Sequence, residues 1–139
     1  MSVSLGKHLV ENVDYTMVEV MMKHKPVYRV TTFVPPEHLD RLIEGISRVA
    51  RCDYGKYEHV FWWSAPGIEQ FRPLIGSHPT VGQIGVTSRT PSIKIEFCIP
   101  KDPHLLDIVI RDGLIHNHPW EEPVIYIEES LAVLSQDGQ

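Results

Sequence analysis

The sequence predicts an α+β domain of the ferredoxin-like, split βαββαβ type: a four-stranded antiparallel sheet with two helices on one face. Two observations carry that expectation. The chain states one strand–helix–strand unit twice, and within each unit the hydrophobic period changes from two to about 3.6. The first unit reads VYRVTTFV (27–34), a Pro35-Pro36 stop, a helical stretch 38–50 and a strand 57–63. The second reads SIKIEFCI (92–99), a stop at Pro100 to Pro103, a helical stretch 104–114 and a strand 124–127.

Each element has its own warrant. In 92–99 the residues Ile93, Ile95, Phe97 and Ile99 share one face, and Lys94, Glu96 and Cys98 share the other, which marks a half-buried strand. The first helix spaces Leu39, Leu42, Ile43, Ile46, Val49 and Ala50 by threes and fours, with Asp40, Arg41, Glu44 and Arg48 opposite. Pro36 suits its first position, where a missing N–H costs nothing. The second helix opens on Asp102 as N-cap with Pro103 next, and Gly113 weakens or ends it. One sheet face is left open by this arrangement. It carries Tyr28 and Val30 or their alternates, with Val60 and Trp62 or theirs, and such a face calls for a cover. A second copy of the chain is the expected cover, as a dimer or trimer. His59 shares a parity with Tyr57, Phe61 and Trp63 and reads as packed among aromatics. Residues 1–26 form an N-terminal extension, in which 15–22 fits a strand or a short helix. Residues 27–128 form the domain, and 129–139 a fraying tail.

Bulk composition narrows the function classes. At 139 residues, 42% hydrophobic and 22% charged, the chain matches one folded domain. Its apolar runs, such as Phe61-Trp62-Trp63, fall far short of the roughly 20 residues that span a bilayer, so no membrane role is expected. The opening MSVSLGKHLVENVDY lacks a secretory apolar core, which predicts a cytoplasmic protein. Lys and Arg total 13 against 18 Asp and Glu, a net charge of −5 with no basic stripe, which argues against nucleic acid. Cys52 and Cys98 form no C-x-x-C pair. Arg48 and Arg51 near Cys52 would lower its pKa, yet no base accompanies it at a defined spacing. Trp62 and Trp63 read as core or interface, Trp120 as exposed or at an interface.

Two stretches hold the remaining chemistry. Residues 65–91 form a long loop rich in Gly and Pro, which in a small domain is either functional or hides an element. Within it Phe71-Arg72-Pro73 and Gly76-Ser77-His78-Pro79 are candidates to line a pocket or clasp a neighbouring subunit. Gly82-Gln-Ile-Gly85 lacks the spacing of a phosphate cradle. The second stretch is His116-Asn-His-Pro-Trp-Glu-Glu-Pro123. Its imidazoles and carboxylates suit a divalent metal, the one cofactor candidate, with His78, His116, His118 and Glu122 as ligands. The competing reading has His118 and Glu121 or Glu122 bonded to backbone, shaping the turn into the last strand.

The segment GIEQFRPLIGSHPTVGQIG (67–85), followed about thirty residues on by HPWEEPVIYI (118–127), resembles the domain inserted into NIF-three-like (YqfO-type) proteins. VYRVTTFVPPEHLDRLIEGIS and the turn Gly55 to His59 resemble the opening of the same domain, so the likeness runs from about residue 26 to 128. It implies a PII/CutA-like ferredoxin fold, and PII and CutA proteins pack as trimers through their sheets. The family's paired metal site lies in a separate domain, and residues 1–26 hold no H-H-P or similar cluster. The resemblance therefore implies a fold and a lineage, in a standalone version of the inserted module.

The leading expectation is a non-enzymatic, homo-oligomeric binding or regulatory module. Its ligand would meet Phe71, Arg72, Gly76, His78, Gly82, His118, Glu121 and Glu122, and its partner would be a small ligand or a protein. Two alternatives stay open: a small metal-dependent hydrolase built on the 116–122 segment, and a purely structural protein-interaction module.

Overall fold

The computed structural model describes residues 22–135. Strand β1 (Lys23–Val34) leads through a 3-10 turn (Pro36–His38) into helix α1 (Leu39–Val49). Strands β2 (Trp62–Trp63), β3 (Gly67–Phe71) and β4 (Ser88–Pro100) follow, then helix α2 (Pro103–Ile108) and strand β5 (Ile125–Leu134). All strand pairs are antiparallel, in the order β2–β4–β1–β5, with β3 also on β4. Both helices lie on one face of the sheet, as the duplicated unit predicts. No helix among the described residues is long and apolar enough to cross a membrane.

The period-two pattern sorts the sheet faces. Tyr28, Val30, Thr32 and Val34 pair in register with Ile99, Phe97, Ile95 and Ile93. Apart from Thr32, these side chains meet Leu39, Leu42 and Ile46 of α1 and Val109 and Leu114 beyond α2 in one buried core. Tyr28 and Val30 thus face the helices, and their alternates Arg29 and Thr31 take the open face. There Arg29 Nη2 and Thr31 Oγ1 both donate to Glu96 Oε2, at 3.0 and 3.1 Å. Lys94 Nζ stands 5.9 Å from the Trp62 ring centre. The middle of the open face is therefore polar, and its aromatics, Trp62 and Tyr126, sit toward its margins and are more than half exposed.

Four expectations change. The strand expected over 57–63 shrinks to Trp62–Trp63. Ahead of it the chain turns back on itself: Tyr54 bridges Tyr57, and the His59 and Val60 amides donate to the Arg51 and Cys52 carbonyls. Gly55 takes φ 59° in that turn, and Cys52 and His59 take φ 48° and 56°. His59 is consequently exposed, and Tyr57 is 75% exposed, instead of packing as a strand face. Trp62 and Trp63 are likewise exposed. At the other end, β5 runs on to Leu134 because β1 begins at Lys23 and offers partners down to the Lys23–Leu134 pair. Residues 129–134, read as tail, are strand. Within the long loop, β3 pairs with the first half of β4, from Gly67–Ser92 to Phe71–Ser88. The expectation for residues 1–21, and for 136–139 of the tail, lies outside the described residues.

Asp102 caps α2 as expected, its Oδ1 accepting the His104 and Leu105 amides. Gly113 does not end the helix. Beyond Ile108 the turns widen to π geometry over Val109–Leu114, then tighten to 3-10 over Ile115–Asn117. The reason Gly113 is needed lies across the helix interface. A Cβ there would stand 2.9 Å from Val49 Cγ2 and 3.2 Å from Ile46 Cα, both on α1. Gly45 of α1 is the counterpart: a Cβ there would fall 2.9 Å from Asn117 Cβ and closer still to its carboxamide. Asn117 occupies that space, and its Nδ2 donates to the Gly113 and Asp112 carbonyls, at 2.8 and 3.2 Å.

In an exposed helix, Gly to Ala gains about 1 kcal/mol. Here overpacking reverses the sign, and Gly45→Ala is expected to destabilise by about 1–3 kcal/mol in urea unfolding. A stabilised Gly45→Ala protein would show that the helices do not approach this closely.

Candidate functional site

The segment 118–124 is held at both ends by β1. His118 is buried, and its Nε2 lies 2.7 Å from the Phe33 carbonyl oxygen, while its Nδ1 lies 3.1 Å from the Trp120 amide nitrogen. A carbonyl only accepts and an amide N–H only donates, so His118 is the neutral tautomer with its proton on Nε2. Burial pushes its pKa below the ordinary value, more than the bond to Phe33 raises it. At the other end, the fully buried Thr32 donates through Oγ1 to the Val124 carbonyl at 2.8 Å. Between these anchors the chain presents Trp120, Glu121 and Glu122.

The long loop closes against this segment. His78 donates twice to Glu121, from its amide to Oε1 at 2.8 Å and from Nδ1 to Oε2 at 3.1 Å. These two bonds hold the Glu121 carboxyl below its usual range. Thr80 Oγ1 donates to the Pro119 carbonyl at 2.9 Å. The Phe71 and Trp120 rings lie 5.9 Å apart at 48°. Gly82 adopts φ 92°, and a Cβ there would meet Ser88 Oγ at 2.7 Å and Phe71 Cε2 at 3.4 Å. Only glycine lets the loop lie over Phe71 in this way.

Between loop and segment lies a cavity of about 550 Å³. Phe71, Arg72, Gly76, Glu121 and Glu122, named from sequence, line it. His78 and Gly82 instead shape the loop from outside the lining, and His118 supports the segment from behind. Sequence reasoning missed Leu74, Val81, Val124 and Glu69 in the walls, and read Trp120 as exposed or interfacial when it is half-buried in the cavity wall. The missed β3 pairing is the reason for Glu69, because it brings that residue beside Ser92, whose Oγ donates to it at 2.8 Å. A second cavity of about 340 Å³, on the open sheet face beside Lys94 and Tyr126, shares Glu69 and Val124 with the first.

The metal set does not assemble. His118 spends both ring nitrogens on backbone and His78 is turned to Glu121, while His116 is exposed. Among the described residues, no three His, Cys, Asp or Glu side chains stand close enough to hold an ion. Cys52 also departs from expectation: burial pushes its thiol up to about 12, with Asp53 adding to the rise, instead of Arg48 and Arg51 lowering it. Burial raises Cys98 as well.

A His whose folded pKa is depressed binds its proton more readily unfolded, so its contribution to stability is full above the unfolded value near 6.5 and is lost as pH falls below it. His118→Gln should remove that part of the acid slope and, by leaving a backbone partner unpaired, cost about 1–3 kcal/mol at neutral pH. Unfolding curves at several pH values check both; an unchanged slope would place the titration elsewhere.

No protein-family model matches the chain. A GTP cyclohydrolase 1 type 2 homolog from Staphylococcus epidermidis is 31% identical over 97 residues, covering 70% of this chain and 25% of the relative. One from Bacillus subtilis is 26% identical over 97 residues, with the same coverage. Among solved structures, a Bacillus cereus protein related to NIF3 superposes with a TM-score of 0.63 at 24% identity, over 79% of this chain and 27% of that one. The chain thus spans about a quarter of the length of the curated relatives it matches. Over about a quarter of their length, the chain is similar in sequence to these GTP cyclohydrolase 1 type 2 homologs, and it shares its α+β fold with the NIF3-related protein.

Proposed function

We propose that the chain is a non-enzymatic, self-associating binding or regulatory module that takes a small ligand into the cavity between the long loop and the 118–124 segment. The cavity carries this reading. Its volume of about 550 Å³ falls in the range that encloses a small organic ligand, and its walls mix aromatic and aliphatic side chains with a few polar groups. The acid–base groups beside it are already committed, His78 to Glu121 and His118 to backbone, which favours binding over catalysis. Self-association through the open sheet face is part of the same reading, as dimer or trimer, since that face leaves Trp62 and Tyr126 exposed.

The relatives' name points to GTP, which makes it the first probe of catalysis. Incubated with GTP, with and without Mg²⁺ or Zn²⁺, the protein is expected to consume none, as followed by chromatography. Metal-dependent turnover would overturn the non-enzymatic reading. Native mass spectrometry of untagged protein should show an oligomer with added stoichiometric mass. Phe71→Ala should lose the added mass and keep the oligomer. A monomer, or added mass indifferent to Phe71→Ala, would count against the assignment.

One observation favours a second reading, a protein-interaction module. Leu74 and Ile75 at the loop turn are 66% and 95% exposed, large apolar side chains in open solvent. On that reading the protein forms a stable complex with another protein and shows no small-molecule affinity, and Ile75→Asp abolishes the complex.

A further inference from the structure

We propose that the loop–segment cavity selects an organic cation: an alkylated or quaternary ammonium group on a compact apolar body. This rests on the reading of the cavity as a ligand site and adds the sign and kind of ligand.

Three features of the cavity converge on that class. Its apolar lining contains two aromatic rings in contact, Phe71 and Trp120, with centres 5.9 Å apart. An aromatic wall attracts cations that shed water easily, because the ring face carries negative electrostatic potential, and Trp is the strongest such ring. The formal charges on the lining agree. Glu69, Glu121 and Glu122 set three negative charges against the single positive charge of Arg72, a balance of 1 − 3 = −2. Even with Glu121 set entirely against His78, Glu69 and Glu122 outnumber Arg72.

The third feature is the way the carboxylates are held. Glu121 is fixed by two bonds from His78, and half-buried Glu69 accepts from Ser92 Oγ at 2.8 Å. Neither has to be ordered by the ligand, so little is lost in side-chain freedom on binding. A strongly hydrated ion such as Na⁺ finds no converging set of oxygens here, and a phosphate or carboxylate meets a negative wall. An ammonium carrying methyl groups is matched by both parts: its methyls by the apolar and aromatic lining, its diffuse charge by the acidic rim.

Isothermal titration of the full chain with choline, with its neutral carbon isostere 3,3-dimethylbutan-1-ol and with benzoate tests the assignment. Choline is expected to bind about tenfold more tightly than the isostere, a difference of about 1.4 kcal/mol, and benzoate not at all. Glu122→Gln should reduce choline affinity severalfold and leave the isostere unchanged. Trp120→Leu should weaken choline more than the isostere, whereas Trp120→Phe, which keeps an aromatic face, should restore most of the preference. Equal binding of choline and the isostere would overturn the cation assignment and leave the cavity a neutral apolar site. Tighter binding of benzoate would overturn it in favour of Arg72 setting the sign. Failure of all three probes to bind would overturn the assignment and the cavity reading together.

Discussion

The close approach of the two helices at Gly45 and Gly113 is the constraint on which the site depends. Because Gly45 has no side chain, Asn117 fits against α1. Its carboxamide then donates to the Asp112 and Gly113 carbonyls in the widened turns beyond α2. The helix therefore ends at a fixed place and in a fixed direction. The next residue is His118. Its ring reaches the Phe33 carbonyl because the preceding turn is pinned, and that bond sets where Trp120 and Glu121 emerge. A methyl group added at Gly45 would thus be felt first in helix packing and next in the cavity wall.

Strand β1 does two jobs. Its helix-facing residues supply much of the core, and its last turn of pleat, Thr32 and Phe33, supplies the two anchors of the 118–124 segment. Each anchor is a hydrogen bond with one partner buried, so losing either leaves a polar group without water to replace it. The loop side of the cavity is held differently. His78 is largely exposed, and water screens an exposed contact of this kind. The packing of Phe71 on Trp120 and the β3–β4 ladder also hold the loop in place.

Much of this was legible in the residues, for stated reasons. The duplicated unit placed both helices, three of the strands and the proline stops, since period and punctuation are local signals. The alternation in 92–99 correctly told the buried face of β4. What failed was non-local. Turn 51–60 carries aromatics at strand parity, yet Gly55 and the left-handed Cys52 and His59 fold it back on itself. β3 has only five residues and exists because β4 offers a partner beyond the end of β1. At the site, Phe71, Arg72, Glu121 and Glu122 were found by their density in two short motifs. The scattered wall residues Leu74, Val81 and Val124 had no such signal. In the histidine-rich stretch both His118 ring nitrogens meet backbone atoms, the arrangement expected of a residue that shapes the turn.

The two halves of the cavity differ in how firmly they are held, and that difference bears on how binding would proceed. One wall is anchored through His118 and Thr32 to the central strand. The other is a loop whose apolar turn, Leu74 and Ile75, stands in solvent and whose polar tie to the segment is exposed. Burying even part of that turn against a ligand body would add favourable apolar area, at roughly 25 cal/mol per Å², without first breaking a strong contact. The rigid wall would supply orientation and the loop adaptability.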